Sequence, residues 1–119
     1  MNKTILAIDD SKSMLEIYAA ILGDFGKVLT FQSLQDAREH LTDIDLIILD
    51  FNLELDSELI QDIVKELITV APIILCSGVQ DERVASYCFG LGVKDYWNKG
   101  SDPEMLVDKA KTLLTTTRC

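Results

Sequence analysis

Five short apolar runs alternate with five helical stripes along this chain, and that rhythm constrains the fold more than any single residue does. The runs are Thr4–Ile8, Lys27–Phe31, Leu46–Leu49, Ile73–Cys76 and Val93–Tyr96. The first, third and fourth are nearly continuous Ile, Leu and Ala. Strands buried on both faces of a parallel sheet read this way, whereas a strand wet on one face alternates apolar with polar. Between the runs, apolar residues recur at helical spacing. The first stripe is Met14, Leu15, Tyr18, Ile21 and Leu22, ended by Gly23 and Gly26. Ser33 is placed to cap a second through Leu34, Ala37 and Leu41. Leu59, Ile60, Ile63, Val64 and Leu67 make the third. Val84, Ala85, Cys88 and Phe89 make a weaker fourth, stopped near Gly90 and Gly92. Ser101-Asp102-Pro103-Glu104 opens the fifth with a capping-box pattern and a first-turn proline, ahead of Leu106, Val107, Ala110, Leu113 and Leu114.

Repeated β-α units predict an α/β fold of parallel strands joined by right-handed crossovers, with helices on both faces. In such open sheets, ligands bind beyond the carboxyl ends of the strands. The 119 residues are expected to form one domain, 1–119, with no room for an output domain. A content of 48% hydrophobic residues excludes a disordered tail. No apolar run reaches the roughly 18 residues of a membrane span. Met1-Asn2-Lys3 leads straight into a strand, unlike a signal peptide. The net charge of −9 opposes direct nucleic-acid binding, which needs a basic face. Residues 36–66 carry ten acids against two bases. That block reads either as solvated surface or, in part, as acids converging on a cation. Cys76, Cys88 and Cys119 show no C-x-x-C spacing, and the odd count points to a reducing, cytoplasmic setting.

The strand ends carry the chemistry. Asp9 and Asp10 follow the first run, Asp50 the third, and Ser77-Gly78 the fourth. Lys99 lies three residues past Tyr96. A parallel sheet gathers all of them on one rim. Clustered carboxylates repel unless a cation joins them, and an all-oxygen set suits Mg²⁺. Lys99 offers a point charge, and Ser77 a hydrogen bond, to a phosphate oxygen. Asp50 is positioned as a nucleophile toward phosphorus, giving an aspartyl phosphate. Each residue alone also reads as an ordinary turn or surface residue; the ordered set does not.

With those residues in that order, the chain resembles the receiver domains of two-component response regulators, from about Lys3 to Leu114. The resemblance implies a flavodoxin-like sheet with strand order 2-1-3-4-5. It implies a phosphoacceptor at Asp50 and Mg²⁺ held by Asp9, Asp10, Asp50 and the backbone carbonyl of Asn52. Ser77, Gly78 and Lys99 would contact the phosphoryl group, and Tyr96 would turn inward as the aromatic switch. The donor would be a histidine kinase or a histidine phosphotransfer protein. The output would pass through the fourth helix, fifth strand and fifth helix to a target protein, a fused output domain or a second copy. Such a protein is not a turnover enzyme; it accepts the phosphoryl group and removes it from itself.

Two departures stand out. Gly100 follows Lys99 where the family usually has a proline, often in a cis bond, so a trans bond is expected. The loop Phe51–Ser57 lacks the family's proline and glycine and is about one residue shorter, with Asp56 or Ser57 as cap of the third helix. Trp97 reads either as packed or as an exposed partner anchor. Rival readings are a dehalogenase-type phosphatase, which needs an acid where Asn52 stands, and a flavin carrier, whose phosphate cradle Asp9-Asp10 would repel. A receiver-like docking module that works without phosphorylation is the remaining alternative.

Overall fold

Apolar runs too short for helices and too continuous for half-wet strands leave one low-energy arrangement: the centre of a sheet covered on both faces. The computed structural model describes residues 3–51, 60–78 and 82–115, with backbone only for 82–85. Its strands are β1 (Lys3–Ile8), β2 (Gly26–Phe31), β3 (Leu46–Asp50), β4 (Ile73–Ser77) and β5 (Asp95–Asn98). Its helices are α1 (Lys12–Leu22), α2 (Leu34–Ala37), α3 (Ile60–Leu67), α4 (Glu82–Gly90) and α5 (Pro103–Thr115). All strand pairs are parallel, in the order β2-β1-β3-β4-β5. Every residue of β3 and β4 is buried, as their continuous Ile/Leu composition requires.

Strand pleating sends alternate side chains to opposite faces. Leu6, Ile8, Ile47, Leu49, Ile73 and Leu75 pack with residues of α2, α3 and α4 on one face. Ile5, Ala7, Leu46, Ile48, Ile74, Cys76 and Trp97 pack with α1 and α5 on the other. A fully buried Leu or Ile contributes roughly 1.5–3 kcal/mol, so the two layers together dominate the fold's stability. Gly26 opens β2 at φ 145°, and a Cβ there would strike the Lys3 carbonyl at the start of β1. Only glycine lets the edge strand approach so closely.

The helix starts and stops have local causes. Ser11, not Asp9 or Asp10, caps α1 by accepting from the Met14 N–H at 3.3 Å. Ser33 caps α2 by accepting from the Asp36 N–H at 3.1 Å. That helix is one turn long and tightens into a 3₁₀ turn at Arg38–His40, so Leu41 lies beyond it. Asp102, rather than Ser101, caps α5, accepting from the Glu104 N–H at 2.9 Å. The predicted capping box is therefore replaced by a shorter Asp cap with Pro103 in the first helical position.

The fifth strand starts two residues later than its apolar run suggested. Val93 belongs to the end of α4 instead. Gly92, at φ 111°, donates to the Phe89 carbonyl at 2.9 Å, and the Val93 N–H reaches the Cys88 carbonyl at 3.2 Å. This is a Schellman ending, in which a buried apolar residue follows the glycine and closes the cap. The consequence is functional: β5 runs to Asn98 and delivers Lys99 directly at its carboxyl end.

Candidate functional site

Parallel register places the reactive residues side by side. Asp50 pairs with Cys76 across β3 and β4, and Ser77 pairs with Asn98 across β4 and β5. The Asp9 N–H continues the β1–β2 ladder, donating to the Phe31 carbonyl at 3.1 Å. The Lys99 N–H donates to the Ser77 carbonyl at 2.8 Å. The sheet's own hydrogen bonds thus fix the backbone on which Asp9, Asp50, Ser77 and Lys99 stand.

One ammonium holds the centre. Lys99 Nζ lies 2.8 Å from Asp9 Oδ2 and 3.1 Å from Asp50 Oδ1. Asp9 and Asp50 are 0% and 1% exposed, so these are buried charges that require a partner. Burial on its own pulls the Lys99 pKa down, but hydrogen bonding and attraction from Asp9 and Asp50 override it, and the net shift is upward. Asp10 is exposed beside them. One oxygen from each of Asp9, Asp10 and Asp50 comes within 4.8 Å of the others. Three carboxylates against one ammonium leave the cluster short of positive charge. The donor set is all oxygen, and exposed Asp10 leaves one side open to water. That combination fits a hard divalent ion such as Mg²⁺, which takes one or two carboxylates and keeps several waters.

Asp9 is held through both of its carboxylate oxygens. Its Oδ1 accepts from the Ser11 N–H at 2.9 Å, and its Oδ2 accepts from the Tyr18 hydroxyl at 3.2 Å as well as from Lys99. Tyr18 is completely buried on α1. Burial drives its phenol far above the usual range, with the Cys76 and Asp9 side chains adding to the rise. In the sequence Tyr18 reads only as part of an apolar stripe; a phenol among aliphatic residues is the available signal. Burial likewise pushes the Cys76 thiol up to about 12.

Ser77 is fully buried at the end of β4, and Gly78 is exposed immediately after it. Ser77 shares the pleat of Ile73 and Leu75, whose face also receives the half-buried ring of Tyr96. Trp97 points the other way and is 2% exposed, with its indole N–H donating to the Asp102 carbonyl at 3.3 Å. It is a core residue and not an anchor. The Lys99–Gly100 bond is trans, like every peptide bond among the described residues. Asn52, the rest of the loop through Ser57 and Cys119 lie outside the described residues.

Comparison with known proteins agrees with this fold. The family description "Response regulator receiver domain" matches residues 5–111. The fold is similar to that of the BeF3-activated DrrB receiver domain, with TM-score 0.87 and 24% identity over 98% of this chain and 100% of that one. It is similar to response regulator DrrB of Thermotoga maritima, an OmpR/PhoB homologue, with TM-score 0.82 and 26% identity over 96% of this chain. There this chain spans 53% of the longer protein. The BeF3-activated N-terminal receiver domain of Klebsiella pneumoniae RstA gives TM-score 0.83 at 21% identity, over 96% of this chain and 100% of that one. No curated protein sequence matches.

Proposed function

Because this chain belongs to the response regulator receiver domain family, we propose that it is a phosphorylation-driven switch with Asp50 as phosphoacceptor. The observation that carries this reading is the Lys99 ammonium set between buried Asp9 and Asp50 at the carboxyl ends of three strands. A carboxylate held at a buried strand end, with a cation beside it, is oriented and only partly neutralised. It is able to attack phosphorus while the ammonium accepts the charge that arrives. The donor is a phosphohistidine on a kinase or phosphotransfer protein. An Asp50 oxygen forms the new bond to phosphorus as the phosphorus–nitrogen bond breaks, and the imidazole leaves. Asp9, Asp10, Asp50 and the Asn52 carbonyl would hold Mg²⁺, which when bound offsets negative charge on the transferring group. Lys99 then leaves its carboxylate pairing for the new phosphoryl oxygens. Ser77 and the Gly78 backbone contact the same group.

The switch follows from shared placement. Ser77 and Tyr96 lie on one face of the sheet, so drawing Ser77 toward a phosphoryl oxygen opens space beside it for the Tyr96 ring. Tyr87 and Phe89 on α4 and Met105 on α5 are exposed, which supports that side as the protein-contact surface toward a target, an output domain or a second copy. The setting is cytoplasmic, and the protein loses its phosphoryl group by its own hydrolysis without turning over an external substrate.

The test is incubation with acetyl phosphate and Mg²⁺ followed by intact mass measurement. One phosphoryl group should be gained by the wild type and none by Asp50→Asn. Uptake that survives this substitution would assign the phosphoacceptor elsewhere. Failure of uptake from small donors and from phosphohistidine proteins alike would favour the docking module.

A further inference from the structure

We propose that Tyr18 is a positioning residue for the cation site, acting through Asp9 from beneath the sheet's rim. The inference rests on the Mg²⁺ reading above and extends it to a residue of α1 that touches neither cation nor phosphoryl group.

Tyr18 packs on the face of the sheet that holds Ile5, Ala7, Ile48 and Leu106. A phenylalanine would fill the same volume without burying a hydroxyl. The phenol has one proton, which it gives to Asp9 Oδ2 at 3.2 Å. The Cys76 side chain lies beside the phenol and adds to the rise in its pKa. No buried side-chain nitrogen or oxygen among the described residues lacks a partner, the Tyr18 hydroxyl included.

A carboxylate offers about four lone-pair positions. On Asp9, Tyr18 and Lys99 take the two on Oδ2, and the Ser11 N–H takes one on Oδ1. Among the described partners, one position on Oδ1 is left for a cation. Asp9 can therefore serve only as a single-oxygen ligand while Tyr18 holds it. Lys99 leaves for the phosphoryl group during the reaction; Tyr18 does not. It keeps the side chain from swinging or chelating once the ammonium has gone. Mg²⁺ requires near-octahedral coordination and takes carboxylates one oxygen at a time, whereas Ca²⁺ accepts two oxygens from one carboxylate. Tyr18 thus favours the smaller ion.

Calorimetric titration of Mg²⁺ and of Ca²⁺ into the wild type and Tyr18→Phe tests this. Hydrogen-bond partners of metal ligands are commonly worth 10–100-fold in affinity, and the lower end, about tenfold for Mg²⁺, is expected here. Ca²⁺ affinity should fall by less or rise, so the Mg²⁺-to-Ca²⁺ ratio drops. An unchanged Mg²⁺ affinity, or equal losses for both ions, would overturn the role, because a merely loosened core does not discriminate between ions. A wild type that binds no Mg²⁺ would instead sink the cation reading itself. If the variant does not fold, the wild type still decides. The ¹³Cζ resonance of Tyr18 should shift on Mg²⁺ addition while that of exposed Tyr87 stays, and no shift at Tyr18 refutes the coupling.

Discussion

Lys99 is the residue on which two buried charges depend. Replacing it with alanine leaves Asp9 and Asp50 close together with no cation between them. Breaking a buried ion pair from one side costs about 3–5 kcal/mol. Lys99 keeps a wet edge, at 17% side-chain exposure, so the lower end is expected for Lys99→Ala in metal-free urea unfolding. Saturating Mg²⁺ should restore part of the loss, because it replaces the missing charge. The pH dependence has a definite sign. Burial alone would lower the lysine's pKa, but Asp9 and Asp50 raise it overall above 10.5. A group whose pKa rises on folding contributes fully below its unfolded value and loses that contribution as pH climbs through the folded one. The gap between wild type and variant should therefore be flat from neutral pH to about 10, near the unfolded lysine pKa, and narrow above it. Thermal melts across that range check it. Asp9, Asp10, Asp50, Ser77 and Lys99 were readable from sequence because each stands at or near the end of an apolar run. Tyr18 was not, because helical periodicity counts its ring as apolar and carries no information about where the hydroxyl ends.

At the scale of elements, the connection from β5 to α5 shows how a family's missing proline is replaced. Asn98 Oδ1 accepts from the Gly100 N–H at 2.8 Å, and the Asn98 carbonyl accepts from the Ser101 N–H at 2.9 Å. The side chain makes the turn that a proline would otherwise impose, and Lys99 is held between these two bonds. Proline in a loop usually stabilises by restricting the unfolded chain. Here it would delete the donor that Asn98 uses. Gly100→Pro should therefore lower stability, by about 1 kcal/mol for the lost hydrogen bond, in urea unfolding monitored by Trp97 fluorescence. A gain would mean the Asn98 turn is dispensable. The same strand shows the limit of pattern reading. Val93 is apolar and buried, yet it closes the cap of α4, because a positive φ at Gly92 turns the chain back before β5 begins. The helix faces and the caps at Ser33 and Gly92 followed from local chemistry, whereas the strand order came from the family resemblance. The boundary of β5 and the choice of Asp102 over Ser101 depended on backbone geometry that composition does not encode.

Across the whole molecule, the sheet divides the core into two layers that share every central strand. β3 and β4 are buried along their full length and cannot open without exposing both layers. The peripheral helices are held on one side only. Among the described side chains of α4, Cys88 is the buried one, flanked by exposed Tyr87 and Phe89. Local stability should follow this difference, since openings range from near zero for thinly packed elements up to global unfolding for central strands. Two buried cysteines report on it without any added label. Cys76 sits in β4 with 0% exposure and a thiol pushed up to about 12 by burial, so it cannot react from the native state. Cys88 is also fully buried and its thiol is raised by burial, but it lies on α4. When closing is fast relative to modification, labelling tracks the population of the open form. Alkylation followed by peptide mapping, over increasing urea below the unfolding midpoint, should modify Cys88 earlier and with a shallower urea dependence. Cys76 should react only with the full dependence of global unfolding. Parallel labelling at both sites would mean that α4 opens only with the sheet. In that case the surface proposed to carry the signal could not change shape without unfolding the site that generates it. Separate labelling would leave α4 free to move while β4 stays folded within the sheet beneath the site, the mechanical condition a switch at this rim requires.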